Sequence, residues 1–130
     1  MKIRVVSSRD EIDSLSKREK IIHLAFRPSE RDIFALIQNC PEVKAIHIPG
    51  SYLKTISDST KMLLNIQGIS LLEGDVWGHR RDINEYYEIK KEVFDTIEKL
   101  KKEGLSDADI LKRTETMSGL GKDLLQFLMK

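Results

Sequence analysis

Four short apolar runs, at residues 3–6, 21–26, 45–48 and 69–72, alternate with segments of helical periodicity, and this alternation constrains the fold more than anything else in the chain. Each run is bounded by turn formers: Ser7-Ser8, Pro28, Pro49-Gly50 and Gly74. Between the first two, Ser8 with Glu11 reads as a capping box ahead of Ile12 and Leu15. Between the second and third, Ser29 with Asp32 gives a similar start, followed by Ile33, Leu36, Ile37 and Cys40 at helical spacing until Pro41 stops it. A third helix is expected over 52–66, carrying Leu53, Ile56, Leu63 and Leu64 and closed by Gly68. Strand, helix, strand, helix is the pattern of βα units. The expected fold is therefore α/β, a small, mainly parallel, four-stranded βα layer with right-handed crossovers.

A repeat test adds one feature. Ile21, Ala45 and Ile69 open their runs at a spacing of 24 residues, with His23 and His47 at equivalent places and Leu71 replacing them in the third. The helix residues do not keep this register, and the opening run is offset by about 19 residues. An ordinary α/β sheet with similar loop lengths is thus preferred over a solenoid.

After Trp77-Gly78 the character changes. Asp82 with Glu85 resembles a cap, and Ile83, Tyr86, Val93, Ile97 and Leu100 suggest one helix ending at Gly104, roughly 30 Å long. Ser106 with Asp109 starts a second helix through Ile110 and Leu111, and Ser118 a third through Leu120, Leu124, Leu125, Phe127 and Leu128. The chain reads as a single domain over 1–130, a βα layer (1–78) followed by a three-helix extension (79–130).

Composition bounds function. The 130 residues carry a formal charge of +1, so no global basic field advertises nucleic acid or an anionic membrane, though a local basic patch is compatible with it. No apolar run approaches the ~18 residues of a membrane helix, and the amino terminus lacks the pattern of a signal peptide, making the cytoplasm the expected setting. One cysteine, Cys40, supplies neither an internal disulfide nor a Cys-rich zinc site and is expected to be a small buried hydrophobe.

Three sets of residues could carry chemistry. The first is the C-terminal tail. Residues 102–110, with Ile97, Leu100 and Thr114, fall where resolvase-type helix-turn-helix modules place theirs. Leu111 stands where a small residue is expected, the turn glycine is missing from its usual place, and one extra residue separates Thr114 from Ser118. The would-be recognition helix offers Lys122, Gln126 and Lys130, with Asp123 set against them. Acidic and basic residues are equal in number over 80–130, and helices packing on the α/β body or on a second chain are the simpler reading.

The second set is the loops after the strands, where open parallel sheets collect ligands. Arg27, Ser29, Gly50, Ser51, Gly74, Asp75, His79, Arg80 and Arg81 lie there, and arginines near helix starts would suit a phosphate or carboxylate. No named nucleotide-binding loop is present, and caps and local ion pairs explain the same residues. The third set is the histidines. Adjacent, in-register strands would bring His23 and His47 to about 5 Å on one face. With no HxH or HxxxH pair to support it, neither a metal nor any other cofactor is expected. Trp77, Tyr86 and Tyr87 are expected to anchor the long helix to the sheet, and no catalytic triad can be assembled from local spacing.

Arg27-Pro28-Ser29, residues 46–52 and residues 73–79 resemble a small archaeal family from methanogens, a domain of unknown function. The resemblance implies an archaeal cytoplasmic setting and assigns no reaction. The leading expectation is a regulatory nucleic-acid-binding protein using its tail. The rivals are an interaction module that forms homo-oligomers through its C-terminal helix, and a sensor or, less expected, an enzyme for a small anionic ligand.

Overall fold

A computed structural model describes residues 1–76 and 85–130. Four parallel strands, β1 (Lys2–Val6), β2 (Ile21–Leu24), β3 (Ala45–Ile48) and β4 (Ser70–Glu73), lie side by side in chain order. A fifth, β5 (Tyr86–Glu88), pairs antiparallel with β1, so the sheet reads β4-β3-β2-β1-β5. A 3-10 turn (Arg9–Ser14) and helices α1 (Glu30–Asn39), α2 (Gly50–Leu53) and α3 (Asp58–Ile66) connect the parallel strands. Three helices follow the sheet: α4 (Lys91–Lys102), α5 (Asp107–Ser118) and α6 (Lys122–Leu128).

Strand order explains the layering. When each parallel strand is added beside the last, crossovers of one hand fall on one face. Val6, Ile22, Leu24, Ile46 and Ile48 point to that face and pack with Ile12, Ile33, Leu36, Ile56 and Leu64 of the crossovers. Alternation turns Ile3, Ile21, Ala45 and Leu72 to the other face, where Val93, Ile97, Leu100, Ile110, Leu111, Leu124 and Leu125 cover them. The three C-terminal helices are thus the second layer of the same core. No helix among the described residues is long and apolar enough to cross a membrane.

The structure corrects several expectations. The sheet has five strands rather than four, because the long helix expected from Asp82 begins only at Lys91 and Tyr86-Tyr87-Glu88 is a strand. Two adjacent aromatics suit a pleated surface, and the helical stripe proper starts at Val93. The helix expected over 52–66 is two helices, with Ser57 capping the second by accepting a hydrogen bond from the Thr60 amide. Ser118 ends α5 instead of opening α6. Ala45 pairs with Ser70, so Leu72 rather than Leu71 stands beside His47. The Ser8–Glu11 capping box is present as expected, heading a 3-10 turn, with the Ser8 amide donating to Glu11 Oε2 at 2.8 Å.

One charge lies inside the sheet. Arg4 of β1 is 5% exposed, with Glu11 and Glu19 each 3.9 Å away, and its Nη1 lies 2.8 Å from Glu85 Oε2, out of line for a hydrogen bond. Tyr86 stacks its ring 5.7 Å from the guanidinium and donates to Glu19 Oε2 at 2.7 Å, a bond that helps push its phenol up to about 12. This cluster ties β5 to β1. Arg4→Ala leaves the buried Glu19 carboxylate without its cation and should lower the unfolding free energy by roughly 3 kcal/mol in urea titrations. Adding Glu19→Gln should recover part of the loss; equal losses in the single and double variants would contradict this reading.

Candidate functional site

The C-terminal helices meet at a tight turn. Ser106 caps α5 by accepting from the Asp109 amide at 3.3 Å, and buried Thr114 returns its hydroxyl to the Ile110 carbonyl at 2.7 Å. Gly119 follows with φ +73°, the left-handed conformation that closes a helix and that glycine adopts without strain. Three residues, Gly119, Leu120 and Gly121, then lead into α6. The turn glycine that the sequence reading gave as missing is thus supplied by Gly119. Leu111 does not obstruct the arrangement, since it is buried in the core beneath α5.

Helix α6 has two distinct faces. Leu124 and Leu125 are buried, and Leu120 before them as well. Lys122, Gln126 and Lys130, four residues apart, form one exposed stripe. Asp123 does not oppose this stripe. It turns to the sheet and accepts the outward amide of Glu73 on edge strand β4 at 2.9 Å. The stripe lines a groove of 690 Å³ between α5 and α6, together with Asp107, Ala108, Leu111, Lys112, Glu115 and Met129. The helix docks on α5 and on β4 of the α/β body.

The loops at the carboxyl ends of the strands only partly converge. Gly50, Gly74 and Asp75 share a cleft of 540 Å³ with Pro49, Glu73, Glu115, Gly119, Leu120 and Gly121. Ser29 caps α1, and Arg27 lies over the Tyr52 ring at 5.9 Å. Ser51 is exposed on α2 outside the cleft. Arg9 pairs with Asp32 at 3.1 Å, where the capping bonds from Ser29 and the arginine hold the carboxyl below its usual value against the opposing effect of burial. His79, Arg80 and Arg81 lie outside the described residues. The cleft walls contribute Glu73, Asp75 and Glu115 and, among the described residues, no lysine or arginine, a lining ill matched to an anion.

Beneath this cleft lie the two histidines. His23 and His47 are fully buried, in register on β2 and β3, with Nδ1 atoms 2.8 Å apart and ring centroids 4.9 Å apart. One Nδ1 must donate and the other accept. Asp75 Oδ1 lies 3.5 Å from His23 Nε2. The second ring nitrogen of His47 is Nε2. That atom is buried without a hydrogen-bond partner and faces Gly74, where an added Cβ would lie 2.5 Å from it. Burial pulls His47 down to about 4, with the Asp75 and Asp123 carboxylates pulling the other way. Among the described residues no three His, Cys, Asp or Glu side chains are grouped to hold a metal ion.

Sequence reasoning named Glu73 in the loop after the last strand but missed Glu115 and Asp123 as its neighbours. They belong to β4, α5 and α6, and only the register of β4 against α6 brings them together.

The histidine geometry predicts a pH dependence. The folded-state value of His47, about 4, lies below the ordinary 6.5, so between these values the unfolded chain binds the extra proton. The contribution to stability is complete above pH 6.5 and falls as pH drops, by roughly 3 kcal/mol at pH 4. Denaturant titrations of wild type and His47→Gln should diverge over that window; parallel curves would show that His47 is not buried as a neutral ring.

Two family models match the chain. The N-terminal domain of a family of unknown function, DUF1699, matches residues 2–85, and the C-terminal helix-turn-helix domain of the same family matches residues 92–130. No curated protein and no solved structure matches. With a sheet over the first stretch and a three-residue helical turn in the second, the chain belongs to the DUF1699 family, whose C-terminal part is a helix-turn-helix domain.

Proposed function

We propose that this protein is a cytoplasmic regulator that binds nucleic acid through its helix-turn-helix, with α6 as the reading helix. The observation that carries this reading is the exposed stripe Lys122, Gln126 and Lys130 on the second helix of a segment matched as a helix-turn-helix. Its opposite face is buried, so the stripe is held in one orientation by Leu124, Leu125 and the Asp123 bond to β4. In such modules the second helix enters the major groove, where Lys contacts phosphates or guanine and Gln pairs with adenine. Lys112 of α5 flanks the same groove and is placed for a phosphate.

The charge sets the strength. Three lysines facing the groove are few, and non-specific binding scales with the number of phosphates neutralised. Two copies on one duplex are therefore part of this proposal. Leu120, Leu124 and Leu125 are buried within a single chain, whereas Phe127 and Leu128 of the terminal helix are half-buried. The sheet and its crossover helices serve as the platform that positions α6.

Fluorescence anisotropy with duplex DNA and RNA pools at graded salt tests this. Wild type should bind duplex DNA with a log–log salt slope of about −2.7 per chain, from three contacts at about 0.9 each. Lys122→Ala should reduce that slope by about 0.9, whereas Gln126→Ala should keep the slope and narrow the difference between sequences. Absence of salt-dependent binding to every pool, or a slope untouched by Lys122→Ala and Lys130→Ala together, would overturn the reading.

A further inference from the structure

Helix α6 is short, and what holds its two ends decides where its outward stripe points. It spans seven residues, opens at Gly121 without a side-chain cap, and follows Gly119 in the left-handed conformation. A helix of this length has little stability of its own, so its placement comes from contacts with other elements. Leu124 and Leu125 seat its first half on the core, and Asp123 bonds the same half to β4. Lys122 and Gln126 lie beside these anchors. Lys130 lies past the helix end at Leu128, where its own amide reaches the Phe127 carbonyl at 3.4 Å.

A side chain from another helix holds that end. Lys101, in the last turn of α4, donates from Nζ to the Met129 carbonyl at 2.8 Å. Carbonyls at a helix end have no partner inside the helix, and a cation beside them also complements the negative end of the helix dipole. Lys101 is not drawn elsewhere. Its neighbour Lys102 pairs with Glu98 at 3.4 Å, and among the described residues no carboxylate lies within ion-pair distance of Lys101. Two side-chain-to-backbone bonds thus tether α6, one at each end. Asp123 accepts from the sheet at the first turn, and Lys101 donates from α4 just past the last. Each charge also has the sign that the dipole favours at its own end.

We propose that Lys101 is a positioning residue for nucleic-acid binding, fixing Lys130 at the end of the α6 stripe through the Met129 carbonyl. This inference rests on α6 as the reading helix. Lys101 itself meets no phosphate, because its ammonium group is engaged with the carbonyl. Its contribution to binding passes through Lys130, whose contact requires the chain after Leu128 to hold one path.

Two measurements on the full chain test this, the first without nucleic acid. Lys101→Met keeps the aliphatic stem and removes the donor. In the free ¹⁵N-labelled chain it should lower the order parameters of the Met129 and Lys130 amides, while those of Leu124 and Leu125 keep their values. Lys101→Arg, which retains charge and donors, should restore them. In anisotropy titrations with duplex DNA at graded salt, Lys101→Met should reduce the log–log slope by about 0.9, one phosphate contact, and Lys101→Arg should recover it. The double variant Lys101→Met, Lys130→Ala should lose no more slope than Lys130→Ala alone, since both changes remove the same contact. Lys102→Met, at the lysine paired with Glu98, should leave both readouts unchanged. Amide order untouched by Lys101→Met would overturn the tether. Additive slope losses in the double variant would overturn the positioning role, because Lys101 would then meet a phosphate itself. A wild type that binds no duplex overturns the α6 reading and this inference with it, whereas binding with a slope that Lys101→Met leaves unchanged overturns this inference alone.

Discussion

Everything in this fold depends on covering the second face of a sheet whose crossovers all fall on the first. A parallel layer that adds strands in chain order leaves Ile3, Ile21, Ala45 and Leu72 facing water unless something else packs there. The C-terminal helices do so with Val93, Ile97, Leu100, Ile110, Leu124 and Leu125, each 7% exposed or less. At ~1.5–3 kcal/mol for each buried side chain, this contact is large against the usual net stability of a domain. The helix-turn-helix is therefore fixed to the sheet by its own core. That fixity gives α6 a defined outward face, since whatever is not needed to cover the sheet, namely Lys122, Gln126 and Lys130, is left to solvent.

The same face carries a polar inset. Two histidines in the second core layer would be unfavourable singly; paired through Nδ1, each satisfies one ring nitrogen of the other. His47 Nε2 then lies under Gly74, at the place where the end of β4, α5 and the turn before α6 converge. Core packing, the histidine pair and the acidic cleft are thus one structural feature seen at three depths. Asp123 joins it to the proposed reading surface, because the residue that caps the β4 edge lies one position from Lys122.

Much of this was legible in the sequence, and the parts that were not share a cause. The four parallel strands, the Ser29 and Ser106 caps, the register of His23 against His47 and the outward stripe of α6 all follow from local spacing. Strand β5 did not, because Tyr86 also fits a helical period with Val93, and only its pairing with β1 decides the matter. The shift of β4 by one residue arises because Ala45 meets Ser70, a choice made by packing of Leu72 into the second layer. The cleft was half visible: Gly50, Glu73, Gly74 and Asp75 follow strands in the sequence, whereas Glu115 had no local signal. The arginines after the strands could have served a ligand or paired locally; where they are described, Arg9 pairs with Asp32 and Arg27 lies over Tyr52.

The central claim is that a helix-turn-helix locked onto the sheet presents one stripe of α6 to nucleic acid. Amide chemical shifts of the ¹⁵N-labelled full chain, followed while duplex DNA is added at low salt, test it most directly. The account predicts that the shifts concentrate on Lys112 and on α6 from Lys122 to Lys130, while the amides of α1 and α3 on the opposite face of the sheet stay in place. Shifts concentrated on α1 and α3, or none at any amide at saturating DNA, would contradict it.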